Sequence, residues 1–149
     1  MSSWRQQALI EAPVDEVWSL IGDPSKYPSW AGRDVVEVTG LPSVEEGATF
    51  RQVTRTPLGQ REVNFRIDDL EALREIRMTC DESGMFSRWL LTEAQDNTFA
   101  DVEIGMEPAS LPYRAFDATL GKQWYRRMVD GFIDGLRGAL ARGAQPRER

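Results

Sequence analysis

The sequence predicts an α+β fold: a curved antiparallel sheet of about seven strands, with one long C-terminal helix across its apolar face. Three observations predict it. Apolar residues recur with a period of two from Val35 to Glu107. After Pro108 and Pro112 the step becomes four, through Phe116, Leu120, Trp124, Met128, Phe132, Leu136 and Leu140. Ahead of the sheet, residues 10–32 read IEAPVDEVWSLIGDPSKYPSWAG, a short helix that stops and restarts.

Trp4 to Glu11 alternates, with Trp4, Gln6, Ala8 and Ile10 on one face, and reads as the first strand. Pro13 suits a first helical turn, and Asp15 and Glu16 favour the positive end of its dipole. Val14, Val17, Trp18 and Ile21 give that helix a buried face, and Gly22 ends it. Asp23-Pro24 restarts the chain as an N-cap followed by proline, and Pro28 keeps the second helix short. That second helix carries Tyr27 and Trp30, which a simple core does not need.

Along the sheet, Ala48, Phe50, Gln52 and Thr54 share one face, as do Val63, Phe65 and Ile67. Ile76, Met78 and Cys80 follow a turn at 68–73, with Arg74 on their face. Ala100, Val102, Ile104 and Met106 alternate with Asp101, Glu103 and Glu107. Phe86–Glu93 is a strand whose inward face the pattern leaves open. The opposite, charged face must meet water. The C-terminal period predicts a helix of about 30 residues, about 45 Å long. Arg126, Arg127, Asp130, Asp134 and Arg137 form its solvated side. With no repeat and no linker, residues 1–149 read as a single domain ending in a polar tail, 144–149.

Composition excludes several function classes. The net charge of −6 argues against nucleic acid and against an anionic membrane surface. Cys80 is the only cysteine, which leaves no internal disulfide and no cysteine-based zinc site. The absence of histidine removes imidazole bases, histidine triads and histidine-bound metals together. No metal and no cofactor is expected. Any chemistry must use carboxylates, Tyr, Arg, Ser/Thr or ordered water. Neither a signal peptide nor an apolar run of about 18 residues is read, so a cytoplasmic protein is expected.

Ile10, Ala12-Pro13, Val17-Trp18, Asp23-Pro24 and Trp30 form a pattern that resembles the START/polyketide-cyclase-like (SRPBCC) superfamily. Its fold is the helix-grip of the birch-pollen allergen. Gly47 opening a strand, the Asn97-Thr98 turn and the C-terminal helix also fit. The resemblance spans nearly the whole chain. It implies a hydrophobic cavity between sheet and long helix, open near the short helices. Superfamily members include carriers, cyclases, hydrolase-like and co-chaperone-like proteins, so the fold alone licenses no activity.

On this reading Tyr27 and Trp30 stand at the cavity entrance. Their competing role is to staple the short helix to the sheet, the one favoured for Trp30. Phe50, Phe65, Met78, Val102, Ile104, Phe116, Leu120 and Trp124 are candidate lining residues, each also a natural core residue. Ile67 and Met128 fall on the same inward faces, and Met78, Met106 and Met128 would give the wall an adaptable shape. Gln6 and Gln52 fall on inward faces, where an unpaired amide costs about 1–3 kcal/mol. They bond each other or the backbone, or they orient a ligand. Arg74 either reaches solvent or a carboxylate, or holds an acidic or enolic oxygen. Gly131, Gly135 and Gly138 share one flank of the helix, where close backbone packing is expected, and Gly121 lies a turn or more before them. Glu45-Glu46 and Asp68-Asp69-Glu71 read as solvated loops.

The leading function is binding of a lipid-like or polycyclic hydrophobic small molecule. A polyketide cyclase/aromatase or dehydratase using the same cavity is the alternative, with Arg74 and Tyr27 as its only nominees. A protein-interaction module with a filled interior is the third reading. Oligomeric state is not legible.

Overall fold

The computed structural model describes residues 2–57 and 59–144, so most of the expected polar tail, 145–149, lies outside them. Strand β1 (Ser2–Ile10) leads into helix α1 (Val14–Ile21), a 3₁₀ turn at Pro24–Lys26 and helix α2 (Tyr27–Trp30). Then come β2 (Val35–Thr39), β3 (Thr49–Thr56), β4 (Gly59–Glu71), β5 (Glu75–Cys80), β6 (Met85–Ala94) and β7 (Asn97–Met106). The chain ends in α3 (Leu111–Phe116), a π turn (Asp117–Gly121) and α4 (Lys122–Ala144). The seven strands form one antiparallel sheet in the order β1-β7-β6-β5-β4-β3-β2.

The two-residue period does what it predicts. Phe50, Phe65, Ile67, Ile76, Met78, Val102 and Ile104 are buried on the concave face. Trp89 and Leu91 settle the inward face of β6. Phe86 points the other way, under the guanidinium of Arg77 at 4.7 Å. Charges on the convex face pair across strands: Arg5 with Asp101, Arg88 with Glu75 at 2.6 Å, Arg66 with Asp81 at 3.0 Å.

Asp68, Asp69 and Glu71, expected in a solvated loop, belong to β4, which runs on to Glu71 past a register shift after Ile67. Asp68 is held there by Arg66 at 3.0 Å and Arg77 at 3.1 Å. The turn falls instead at 72–74, where Leu73 takes φ +66°.

The long helix is continuous but not uniform. A four-residue step advances about 400°, so each step drifts about 40° from a straight stripe. The expected seven-residue stripe therefore cannot stay on one face. Buried positions run instead through Asp117, Gly121, Tyr125, Met128, Val129, Phe132, Ile133 and Leu136. Leu120 is 57% exposed, and Phe116 and Trp124 are half-buried.

Of the three glycines expected in close packing, Gly135 meets the test best. A Cβ there would lie 2.1 Å from the carbonyl oxygen of Trp30, so the backbones of α4 and α2 touch. At Gly131 the near neighbours are the side chains of Asp34 and Arg33, and at Gly138 only Arg142 of the same helix.

Candidate functional site

At the sheet end where β3 turns into β4, the concave face and the helix part around a cavity of about 490 Å³. Cys80 of β5, Met85 of β6 and Met106 of β7 line one side, the last two paired in register. Phe116, Leu120 and Trp124 form the helical wall, rotated there by the drift of the stripe. Thr54, Thr56, Pro57, Arg61 and Val63 of the β3–β4 hairpin form a third wall, and Pro112, Tyr113 and Ser83 complete the ring. Gly84 lets the β5–β6 turn approach the chain that follows β7. It takes φ +78°, and a Cβ would sit 1.8 Å from the Glu107 carbonyl oxygen.

The polar groups on this lining are few and specific. The Tyr113 hydroxyl donates to Glu82 Oε1 at 3.1 Å, and Arg61 stands 3.6 Å from the same oxygen. Burial first, and then the bond to Glu82, push the Tyr113 hydroxyl above its ordinary pKa, so it stays protonated. Farther in, Gln52 Nε2 donates to Thr54 Oγ1 at 2.8 Å, and both residues are buried. Gln52 Oε1 has no hydrogen-bond partner among the described residues.

Beside the helical wall lies a network that sequence reading did not anticipate. Asp117, buried inside the π turn, accepts from the Ser2 hydroxyl at 2.6 Å and the Tyr125 hydroxyl at 2.8 Å. Burial pulls its pKa up, but the bonds from Ser2 and Tyr125 outweigh that and hold it below the usual carboxylate range. Gly121 makes room for this, since a Cβ there would lie 2.9 Å from the Tyr125 hydroxyl oxygen. An extra residue in one helical turn is what brings Asp117 inward, and no periodicity signals it beforehand.

Of the candidates named from sequence, Phe116, Leu120 and Trp124 line the cavity, and Gln52 stands directly behind Thr54. The others lie elsewhere. Phe50 and Phe65 stack on each other at 5.8 Å in the core. Met78, Val102 and Ile104 are buried in the core and do not line the cavity. Gln6 accepts from the Trp4 indole at 3.3 Å. Arg74 is exposed in the β4–β5 turn beside Glu71 at 3.7 Å, because an arginine at a strand end finds water at less cost than burial.

Tyr27 and Trp30 are staples rather than an entrance. Tyr27 donates to the Ile21 carbonyl at 2.6 Å and Trp30 to the Leu20 carbonyl at 3.1 Å. Trp30 also meets Tyr27, Trp89 and Phe132 edge-on, at 5.1, 5.9 and 6.0 Å. Satisfying each polar handle on backbone removes the reason for these rings to face a wet mouth. The apolar cavity of about 490 Å³ lies by α3 and the β3–β4 hairpin, away from Tyr27 and Trp30, while a second, open pocket borders α1 and the 3₁₀ turn, lined by Trp18, Gly22, Lys26, Val44 and Leu70. Arg61 and Tyr113, not weighed from sequence, are the charged and phenolic groups of the apolar cavity. The alternation does signal Arg61, which falls two residues before Val63 on the same face.

A family described as "Polyketide cyclase / dehydrase and lipid transport" matches residues 1–141. The chain belongs to this family. Among solved structures it is similar to a START superfamily protein from Mycobacterium smegmatis, at 12% identity and a TM-score of 0.74, over 94% of this chain and 97% of that one. It is also similar to the Zhui aromatase/cyclase from Streptomyces sp. R1128, at 16% identity and a TM-score of 0.70, over 97% and 96%. No curated protein matches the sequence. At these identities the structural likeness speaks for the helix-grip fold. Among the described residues no helix is long and apolar enough to cross a membrane, and no His/Cys/Asp/Glu group could hold a metal ion.

Proposed function

We propose that this family member takes a hydrophobic small molecule, lipid-like or polycyclic, into the cavity between the β3–β4 hairpin and the C-terminal helix. The observation that carries the reading is the open space of about 490 Å³ among Cys80, Met85, Met106, Phe116 and Trp124. Sites for small molecules span about 300–1,000 Å³ and are mostly apolar, with few polar groups. Each Å² of apolar ligand surface buried there yields about 25 cal/mol. Two methionines give the wall an adaptable shape. A protein-interaction module predicts a filled interior, and the open cavity counts against it.

Native mass spectrometry of freshly purified protein, followed by organic extraction, tests the reading. The expected result is a stoichiometric hydrophobic adduct, lost in a Val63→Trp variant that fills the cavity. A clean apo mass, with no uptake of fatty acid, sterol or polyphenol on challenge, removes the reading.

A cyclase- or dehydratase-like enzyme is the second reading, favoured by one observation. Arg61, Tyr113 and Ser83 share the lining of this one cavity. A guanidinium there can stabilise an enolate oxygen, and a protonated phenol can return a proton. Cavity walls that fold a reactive chain and exclude water supply the rest. A compound recovered unchanged after incubation supports the carrier, and a compound recovered cyclised or dehydrated supports the enzyme.

A further inference from the structure

The β3–β4 wall differs in kind from the strand-and-helix walls it faces, the remaining polar lining groups being Ser83 and Tyr113 at the rim of the ring. Across the cavity stand Met85, Met106, Phe116 and Trp124, all without a strong hydrogen-bonding group apart from the indole N–H. On the hairpin, Thr54 and Arg61 are register partners, and so are Gln52 and Val63. Directly opposed residues of an antiparallel pair project to the same face, so Gln52, Thr54 and Arg61 form one polar row on the hairpin, with Thr54 and Arg61 on the cavity lining and Gln52 directly behind Thr54.

This row has hydrogen-bonding capacity left over. Thr54 Oγ1 accepts from Gln52 Nε2, which leaves its own hydroxyl hydrogen to donate. Gln52 is 4% exposed, yet its Oε1 has no partner among the described residues. Turning the amide over exchanges which of its two atoms is left over and does not remove the remainder. Gln52 stands between Thr54, its hydrogen-bond partner, and Val63, its register partner, and both of these line the cavity. Burying an amide atom unpaired is costly, so such a group is informative about what completes it.

Resting on the binding reading above, we propose that Gln52, Thr54 and Arg61 read oxygen substituents along one edge of the ligand. The molecule that fits is flat or ring-bearing, oxygenated along that edge and apolar along the other. Neighbouring positions on the wall are about 5 Å apart across the strands and about 7 Å apart along one. A ligand with two oxygens on the same edge can therefore engage the wall at two points. A saturated acyl chain offers no oxygen along its length and leaves Gln52 as it is.

Calorimetric titration of the full chain with three probes tests this: naphthoresorcinol, naphthalene and palmitate. The expected result is naphthoresorcinol bound at least about tenfold more tightly than naphthalene, the gain of about one or two hydrogen bonds. In Thr54→Val and in Gln52→Leu, both close in volume to the original, that ratio falls to within about threefold. Melting curves of both variants establish that they fold. Equal affinity for the two ring compounds, a ratio that survives both variants, or binding of palmitate alone would each overturn the oxygen-reading row while the binding function stands. Failure of all three probes to bind overturns the row and the binding function together.

Discussion

Two tryptophans lie on the concave side of the same sheet and meet opposite fates. Trp30 is 4% exposed, with its N–H on a carbonyl and three aromatic rings within 6.0 Å. Trp124 has Phe116 at 5.3 Å and Tyr125 at 6.1 Å, and otherwise faces the cavity. The difference lies in what the C-terminal helix presents at each end. Against α2 it presents Gly135, and the backbones close. Against the β3–β4 hairpin it presents Phe116, Leu120 and Trp124, and the space stays open. One helix thus has a packed end against α2 and a hollow end against the β3–β4 hairpin.

Removing each tryptophan puts that contrast at most risk. Trp30→Ala is expected to cost about 3–5 kcal/mol in urea unfolding, as large aromatic truncations in packed cores do. Trp124→Ala should cost less than about 2 kcal/mol, because part of its surroundings is already empty, and should alter ligand uptake instead. Equal losses at the two sites would end the distinction between a packed and a hollow end.

A smaller but sharper effect is expected from the glycines. Gly135→Ala drives a methyl into the Trp30 carbonyl and should cost about 2 kcal/mol or more, since backbone cannot step aside. Gly138→Ala meets only the Arg142 side chain, 3.3 Å away, and should gain up to about 1 kcal/mol of helix propensity. Thermal unfolding of the two variants side by side reads the sign directly.

The smallest effect concerns the hollow end's own anchor. Asp117 has a depressed pKa in the folded state, so its stabilising contribution is complete above the ordinary carboxylate value, about 3.9. It is lost as pH falls through the lower, folded value. Stability of the wild type should therefore fall more steeply below about pH 4 than that of Asp117→Asn. Parallel curves for the two proteins would mean that the Ser2–Asp117–Tyr125 bonds carry no pH-dependent stability.

Much of this architecture was legible in the sequence, for local reasons. Alternation of Val63, Phe65 and Ile67 with Glu62, Asn64 and Arg66 needs no partner to be read, because burial on one face and water on the other dictate it. Pro13 and Asp23-Pro24 set helix starts by local chemistry, proline through its fixed φ and Asp23 through a side-chain oxygen that accepts from the Ser25 N–H. Period and punctuation also brought Phe116, Leu120 and Trp124 into the candidate site.

Only the tertiary structure decided which inward residues meet one another and which meet a void. Tyr27 and Trp30 carry polar handles that suit either a wet mouth or a dry staple, and the carbonyls of Ile21 and Leu20 made the choice. Arg74 and Arg61 are both arginines on inward-facing registers near strand ends, but one lies at the far turn and the other on the cavity wall. Asp117 in the π turn bonds Ser2, 115 residues away in the chain, a contact that no local period reports. Periodicity reports how a segment divides between water and interior. Where the interior is left empty depends on how separate segments fit, and that is a property of their packing.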